Sequence, residues 1–231
     1  MRENNHFSVA MLVIGPVTFH LYGLLIGLGI LVGGWVAAKK EKSIYDALVW
    51  VVAGGIIGAR FYHVMSEWQF YRLYPGEIVA LWHGGLGIYR AIAGWLVGLW
   101  LYCLKHNQSF RKLLDAVALG LPLGQAIGRL GNYFNQELYG RPTALPWGIY
   151  IQAEDNYFHP LFLYEALWCL LGWIIIKRIK KPGKIMAIYL GWYGLGRFFL
   201  EFLRLDSWMV GGVNVAQAVS AILVAVGLIS L

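Results

Sequence analysis

Polar side chains recur at helical spacing within an otherwise apolar stretch of this chain. Arg129, Asn132 and Gln136 lie at positions i, i+3 and i+7, so a helix would present them on one face. A guanidinium group binds phosphate through paired hydrogen bonds, and amide groups hydrogen-bond to hydroxyls. The spacing therefore predicts a face suited to a phosphodiester headgroup.

A second polar set lies at similar spacing further along the chain. Arg197, Glu201 and Arg204 lie at positions i, i+4 and i+7 of an apolar segment and would share a helix face. One interpretation is an internal ion pair that neutralises itself. The other is an anion site, because two arginines against one glutamate leave a positive surplus.

Other residues of chemically capable types are scattered along the chain. His159 and Glu165 are candidates for orienting a neighbouring group, and Cys103 and Cys169 are expected to pack as small apolar residues because each lies in an apolar run. Further candidates for binding or proton transfer are Tyr22, Arg60 and His83. The sequence contains no HExxH, P-loop, GxSxG or Cys/His metal spacing, so neither a metal nor a cofactor is predicted.

The elements that position these residues follow from composition. Of 231 residues, 59% are hydrophobic and only 13% are charged, against about 25% charged in soluble domains. So few charges cannot cover a water-facing globule, and the abundant Trp and Tyr are typical of membrane interfaces. A soluble enzyme, a disordered scaffold and a nucleic-acid-binding protein are therefore disfavoured, and the partner predicted for this surface is the lipid bilayer.

Seven segments are apolar and close to the length that spans a bilayer, about 20 residues for a helix. The apolar run Val9–Ile14 is broken by Gly15-Pro16, which argues against a cleavable signal peptide, so we expect insertion through the spans themselves. We predict an all-α integral membrane protein with short extracytoplasmic loops, forming one membrane domain over residues 1–231. The predicted spans are Val17–Ala38, Ala47–Met65, Leu81–Leu104, Ala116–Phe134, Pro160–Ile176, Ile185–Leu203 and Gly211–Leu231.

The positive charges predict the orientation of these spans. Three alternate loops hold 11 of the 19 Lys and Arg residues, and all nine Lys lie in them. Basic loops mark the cytoplasmic side, which places the N-terminus outside and the C-terminus inside. The eight remaining basic residues are all Arg, and an Arg within a span costs about 2.5–3.5 kcal/mol on insertion scales, which predicts a function for it.

The motifs resemble those of a known family of bacterial membrane enzymes, the prolipoprotein diacylglyceryl transferases. The resemblance extends from about residue 15 to the end of the chain, and its most specific part is a thirteen-residue signature. The matching motifs are Tyr22-Gly23, Gly58-Ala59-Arg60, Trp82-x-Gly84-Gly85, Gly128-Arg129-x-Gly131-Asn132-x-x-Asn135-x-Glu137-x-x-Gly140, His159-Pro160-x-x-Leu163-Tyr164-Glu165 and Gly196-Arg197-Phe198-x-x-Glu201-x-x-Arg204.

The resemblance implies seven transmembrane helices in the bacterial inner membrane and a specific reaction. The diacylglyceryl group of phosphatidylglycerol passes to the lipobox cysteine of a preprolipoprotein, and glycerol 1-phosphate is released. By the same resemblance, Arg129 and Asn132 match lipid-headgroup positions, and Arg197, Glu201 and Arg204 match a second essential cluster. Other positions implied to bind substrate are Tyr22, Arg60, Glu137 and Gly140.

The proton acceptor stays open at this stage. Relatives commonly carry His-Gly-Gly or Tyr-Gly-Gly where this chain has Tyr89-Arg90-Ala91, so Tyr89 stands where a histidine base is often proposed. Glu201 or Tyr89 could accept the thiol proton instead, or arginines could lower the thiol pKa. Arg129 and Arg197 are our candidates for stabilising the leaving phosphate. The segment from Arg141 to Phe158 is also short, which predicts simpler gating of the peptide.

Two other functions fit the same arginine-lined spans. A transporter for an anionic lipid or metabolite would use such a cavity, although transporters usually show paired halves and no internal repeat is visible here. A non-catalytic paralogue that only binds lipid or lipoprotein is suggested by Arg90-Ala91. An assay for thioether formation and glycerol phosphate release separates both from the transferase.

Overall fold

The protein is built mainly from helices. The computed structural model describes residues 11–14, 17–80 and 88–230, with side chains described for residues 20–80 and 91–230. The α-helices are α1 (Leu21–Lys40), α2 (Ile44–Ser66), α3 (Trp68–Tyr71), α4 (Ile88–His106), α5 (Phe110–Phe134), α6 (Leu161–Ile176), α7 (Ile185–Leu200) and α8 (Val215–Ile229). Single turns of 3-10 helix occur at Pro75–Ile78 and Glu201–Leu203.

In the part of the chain that the structure describes, three short antiparallel hairpins accompany the helices. They pair β1 (Met11–Ile14) with β2 (Val17–His20), β3 (Ile149–Ile151) with β4 (Asn156–Phe158), and β5 (Met209–Val210) with β6 (Val213–Asn214). In β1–β2 the register places Met11 opposite His20 and Ile14 opposite Val17. Each hairpin forms its own two-stranded sheet, so helix packing determines the architecture.

The predicted membrane character is confirmed. Among the described residues, α1, α2 and α5 are long and apolar enough to cross a membrane, and α6 and α8 are shorter apolar helices. Their exposed surfaces carry many large apolar side chains, among them Leu31, Val49 and Ile57 at about two-thirds exposure or more. Such surfaces are stable against lipid rather than water. The count of seven spans and their orientation remain predictions.

Several predicted span boundaries differ from the helix bounds, most of all in the fourth span, where α5 begins at Phe110 rather than at Ala116. The first span begins as strand β2 rather than as helix, and the sixth leaves the α-helix at Leu200 and tightens into a 3-10 turn. The last begins at Val215, because Gly211 and Gly212, with φ of 56° and 81°, turn the chain into a hairpin first. Hydropathy alone does not detect the changes in the first, sixth and last spans, because apolar residues continue through them. Residues 81–87 of the third predicted span lie outside the described part of the chain.

The chain forms two compact units. One comprises residues up to Ala37 together with those from Asp115 onward, and the other comprises Ala38–Leu114. The second unit is built on α2 packed against α4. Among the described candidates for binding or proton transfer, Arg60 and Tyr89 belong to the second unit and the others to the first. A single membrane domain over the whole chain remains a prediction.

Glycines bring α1 and α5 into close contact within the first unit. A Cβ atom built on Gly29 would lie 2.6 Å from the Gly124 carbonyl oxygen, and one on Gly33 would lie 2.9 Å from that of Gly120. Since real side chains do not approach so closely, only glycine permits this packing. This contact fixes the position of α5, whose C-terminal part carries Arg129 and Asn132.

Two tryptophans join α6 to α7. The indole rings of Trp168 and Trp192 stack with centroids 4.3 Å apart, and each Nε1 donates to the other residue's carbonyl oxygen at 3.0 Å. Each ring also lies against a glycine of the opposite helix, Trp168 on Gly196 and Trp192 on Gly172. This reciprocal contact fixes the register of α6 against α7. It therefore also fixes where Glu165 lies along the helix pair relative to Arg197.

A buried carboxylate holds the start of α7. Asp115, on α5, is 2% exposed and accepts hydrogen bonds from the backbone N–H groups of Gly183 and Met186, the latter at 3.1 Å. The first N–H groups of a helix lack partners within the helix and attract negative charge. Asp115 therefore caps α7 from a neighbouring helix and ties α7 to α5.

Candidate active site

Three arginines and two glutamates form a continuous chain of ion pairs in the first unit. Glu165 lies between two guanidinium groups, with Arg129 Nε 2.6 Å from its Oε2 and Arg197 Nη1 3.2 Å from its Oε1. Arg197 continues the chain through Nη2, which lies 2.7 Å from Glu201 Oε2. Arg204 Nη1 completes it at 3.9 Å from the same oxygen. The two arginine sets of the sequence analysis thus form one cluster, with one positive charge in excess.

The predicted helical spacings are only partly right. Gln136 does not share the helix face of Arg129 and Asn132, because α5 ends at Phe134 and Gln136 adopts a left-handed φ of 48°. Glu201 and Arg204 lie beyond the end of α7, and a 3-10 turn brings Arg204 back to Glu201. Both segments therefore present their polar groups from helix ends.

Glu201 is buried, and its charged and hydrogen-bonded neighbours all belong to the protein. Its Oε2 faces Arg197 and Arg204, and its Oε1 accepts hydrogen bonds from Ser207 Oγ at 2.9 Å and Asn214 Nδ2 at 3.3 Å. Asn214 also caps α8 by accepting from the Gln217 backbone N–H at 3.1 Å. The Glu201 side chain is 1% exposed. Glu201 therefore joins the end of α7 to the start of α8 and is poorly placed to exchange protons with a ligand.

A small cavity, partly open to the surroundings, lies beside Glu165 and two of the arginines. Its polar and apolar walls come from three helices, and Glu201 is not part of them. The lining residues are Gln125 and Arg129 of α5, Glu165, Trp168 and Cys169 of α6, and Tyr193, Gly196, Arg197 and Leu200 of α7. The cavity is therefore apolar over much of its surface with a cationic end, as an amphipathic anion requires.

The segment after α5 is organised around a second carboxylate. Glu137 Oε1 accepts from Asn132 Nδ2 at 2.9 Å and from Asn135 Nδ2 at 3.1 Å, and its backbone N–H donates to the Asn132 carbonyl oxygen. The residues on either side, Gln136 and Leu138, both have positive φ, which is strained for a residue with a Cβ. The amide of Asn132 is thus oriented by Glu137, not left free on a helix face.

Gly140 lies where three segments converge. Its N–H donates to the His159 carbonyl oxygen at 2.8 Å, and it pairs across a β-bridge with Arg204. A Cβ built there would lie 2.9 Å from the Leu203 carbonyl oxygen and 3.1 Å from the His159 Cβ. Gly140 permits the backbone next to Arg204 to pack closely, and it thereby helps to position that arginine.

Tyr22 also lies close to the signature segment. Its ring packs on Gly131, where a Cβ would lie 2.8 Å from the Tyr22 Cδ2. Gly131 stands between Arg129 and Asn132, so the start of α1 covers the turn that carries them. The sequence placed Tyr22 in this site only by resemblance, since more than a hundred residues separate it from Gly131.

The remaining candidates are Arg60, which belongs to the second unit, and Tyr89 and His83, whose side chains lie outside the described residues. Arg60 is buried, and its guanidinium donates to the carbonyl oxygens of Glu77, Ile78 (2.9 Å) and Ala80 (3.3 Å) and lies over the Tyr71 ring. Its described contacts therefore include backbone carbonyl oxygens and an aromatic ring of the second unit. Tyr89 lies at the start of α4, but its side chain, like the whole of His83, lies outside the described residues.

Several site residues were not identified as such from sequence. Glu165 was suggested only as an orienting group, and its position in the His159–Glu165 motif was the available signal. Within this motif, the Nδ1 atom of His159 lies 3.1 Å from the Tyr164 hydroxyl. Ser207 and Asn214 carry no sequence signal of their own. Within the described residues, no cluster of His, Cys, Asp or Glu side chains has the grouping of a metal site.

Comparison with known proteins gives a consistent result. The family model described as "Prolipoprotein diacylglyceryl transferase" matches residues 9–231. Proteins named phosphatidylglycerol–prolipoprotein diacylglyceryl transferase are similar over nearly the whole chain. One from Fervidobacterium nodosum is 42% identical, with 93% of this chain and 80% of the relative covered. One from Thermosynechococcus vestitus is 39% identical over 94% and 89%, and one from Finegoldia magna is 42% identical over 90% and 88%. This chain belongs to the prolipoprotein diacylglyceryl transferase family.

Proposed function

We propose that this protein transfers the diacylglyceryl group of phosphatidylglycerol to the lipobox cysteine of a preprolipoprotein and releases glycerol 1-phosphate. This is the first step of bacterial lipoprotein maturation. The observation that carries the proposal is the cavity whose cationic end is formed by Arg129 and Arg197, in a chain of this family. An apolar space with a cationic end fits a lipid with an anionic headgroup.

In this mechanism Arg129 and Arg197 bind the phosphodiester and stabilise the charge that develops as it leaves. Before lipid binds, Glu165 holds both guanidinium groups beside the cavity, so the positions of the two cations are set in advance of the reaction. Asn132, oriented by Glu137, is placed one turn beyond Arg129 to bind a glycerol hydroxyl. Arg204, held by Glu201 and by the bridge to Gly140, adds positive charge from the end of α7.

Tyr22 and Arg60 contribute indirectly in this proposal. Tyr22 packs on the turn that carries the headgroup residues, and Arg60 holds the backbone of residues 77–80 in the second unit. Tyr89 remains a candidate for contact with the thiol, on the motif resemblance alone. No metal or cofactor is assigned a role.

We place the protein in the bacterial cytoplasmic membrane as one domain with seven spans and an external N-terminus. The basic loops support this orientation, and α1, α2 and α5 are long enough to span. The arginine cluster then lies toward the outer leaflet, where translocated lipoprotein precursors present their lipobox.

One assay tests the function directly. Purified protein in phosphatidylglycerol vesicles is incubated with a lipobox peptide, and thioether-linked lipid and glycerol 1-phosphate are quantified. We expect both products in equal amounts. Vesicles of phosphatidylcholine serve as control. Binding of lipid without either product would indicate the non-catalytic paralogue, and lipid movement between leaflets without product would indicate a transporter.

A further inference from the structure

The cluster contains two carboxylates whose surroundings differ. Glu201 meets four partners and lies outside the cavity wall, whereas Glu165 meets only Arg129 and Arg197 among the described residues and lines the cavity. Glu165 therefore occupies the position between two guanidinium groups that an incoming phosphate would take. It is also the acidic side chain that faces the space where a substrate would lie.

We propose that Glu165 exchanges with the lipid phosphate for the two arginines and, once displaced, accepts the proton of the attacking thiol. This inference rests on the proposed function. It adds a proton acceptor to that function, for which neither Glu201 nor Tyr89 is needed. Glu165 is then a catalytic residue in two successive roles, first as an internal anion and then as a base.

Charge balance supports this assignment. Three arginines with Glu165 and Glu201 leave one positive charge, which a phosphodiester monoanion neutralises. When the ester bond breaks, the phosphate gains a second negative charge. Protonation of Glu165 raises the charge of the cluster by one in the same step. The site therefore remains neutral before and after transfer, which matters because unbalanced charge is costly where water is scarce.

The step itself balances in atoms and electrons. The thiol S–H bond breaks and its proton passes to a Glu165 carboxylate oxygen, while the sulfur electron pair forms a bond to the glycerol carbon of the diacylglyceryl group. The bond from that carbon to the phosphate oxygen breaks, and its electrons leave with glycerol phosphate. Release of the product lets Glu165 give up its proton to water and pair again with Arg129 and Arg197.

The groups around Glu165 suit this role. Arg129 on α5 and Arg197 on α7 are its charged neighbours, and Tyr193 of α7 and Cys169 of α6 face the same cavity. The Cys169 Sγ lies 3.7 Å from Gln125 Oε1, consistent with a protonated thiol that donates weakly to the amide. A carboxylate moved away from both arginines loses its two ion-pair partners, so its oxygens can accept a proton from a thiol in the cavity.

Selenocysteine provides a selective test. A selenol is ionised at neutral pH, so a lipobox peptide with selenocysteine in place of cysteine needs no base. For Glu165→Gln we expect a loss of about 100-fold or more in kcat with the cysteine peptide. With the selenocysteine peptide we expect kcat within about fivefold of the wild-type protein, since the step that needs the base is bypassed. Phosphatidylglycerol should bind Glu165→Gln several-fold more tightly than it binds the wild-type protein, because the competing carboxylate is gone.

Two variants keep the test decisive. Glu201→Gln should lose activity equally with both peptides, since Glu201 is a positioning residue. Glu165→Asp should raise the selenocysteine-to-cysteine rate ratio several-fold, which provides a result even if Glu165→Gln does not fold. An unchanged ratio in the Glu165 variants would overturn the base assignment, and unchanged or weaker lipid binding by Glu165→Gln would overturn the exchange. Absence of product from the wild-type protein would instead refute the proposed function.

Discussion

Arginine is used in two different ways in the two units of this molecule. In the second unit, Arg60 is buried and donates to backbone carbonyl oxygens of residues 77–80. In the first, Arg129 and Arg197 pair with the side chain of Glu165 beside a cavity. Backbone carbonyls are fixed by the fold, whereas a carboxylate on a flexible side chain can move away. The comparison teaches that the partner of a buried arginine separates a structural role from a ligand-binding one.

The largest expected effect comes from changing the cluster arginines while keeping their charge. Arg129→Lys and Arg197→Lys should each reduce kcat/KM by about 100-fold or more, because an ammonium group cannot replace a fork of donors that stabilises the transition state. Membrane insertion should be unchanged. Product release from phosphatidylglycerol vesicles measures the effect, and the exposed Arg141→Lys is the matched control. Near-normal turnover in either variant would mean that the substituted arginine, like Arg60, has a structural rather than a ligand-binding role.

The next effect tests whether backbone packing fixes the cluster. Gly140→Ala places a Cβ 2.9 Å from the Leu203 carbonyl oxygen, so the strand next to Arg204 must shift. We expect about a tenfold loss in kcat/KM and about 1–3 kcal/mol of destabilisation. Gly76→Ala, where no neighbour lies within 4 Å of the added Cβ, is the control. Full activity with normal stability would show that the bridge to Arg204 is not needed.

Arg60→Lys should affect stability more than catalysis. Lysine cannot reach three carbonyl oxygens at once, so hydrogen bonds to a charged donor are lost, costing about 2 kcal/mol. We expect a lower melting temperature in detergent and a change of less than about threefold in kcat at a temperature where the protein stays folded. The exposed Arg72→Lys should change neither. A collapse of kcat with normal stability would move Arg60 into the group that binds substrate.

The sequence predicted the residue types of this site better than their contacts. Arg129 and Arg197 stand out because a charge inside an apolar span is costly, and such a charged residue can be recognised from the sequence alone. Their shared partner Glu165 is more than thirty residues from each, so only the packing of α5, α6 and α7 reveals the ion pairs. The left-handed turns at Gln136 and Leu138 were missed for another reason. Neither residue type favours positive φ, and nothing in the sequence marks Glu137 as the acceptor for the Asn132 side chain.

The smallest expected effect concerns Asp115, which mirrors Arg60 with the opposite charge. Its carboxylate binds backbone N–H groups of Gly183 and Met186, whereas Arg60 binds backbone carbonyls. Asp115→Asn replaces one acceptor oxygen with a donor that faces an N–H group, and weakens the charge at the start of α7, so we expect about 1 kcal/mol of destabilisation. Activity should be nearly unchanged, because the other end of α7 is held by the Trp168–Trp192 pair and by Glu201.

Thermal unfolding in detergent, with the exposed Asp206→Asn as control, measures the Asp115 effect. Should Asp115→Asn instead abolish transfer without loss of stability, the orientation of α7 would be set from its N-terminal end. Glu201 and the tryptophan pair would then be insufficient to place Arg197 beside Glu165. The expected outcome, a modest stability loss with transfer intact, would show that charges bound to backbone support the fold. Those bound to other side chains would then be the ones that carry the chemistry.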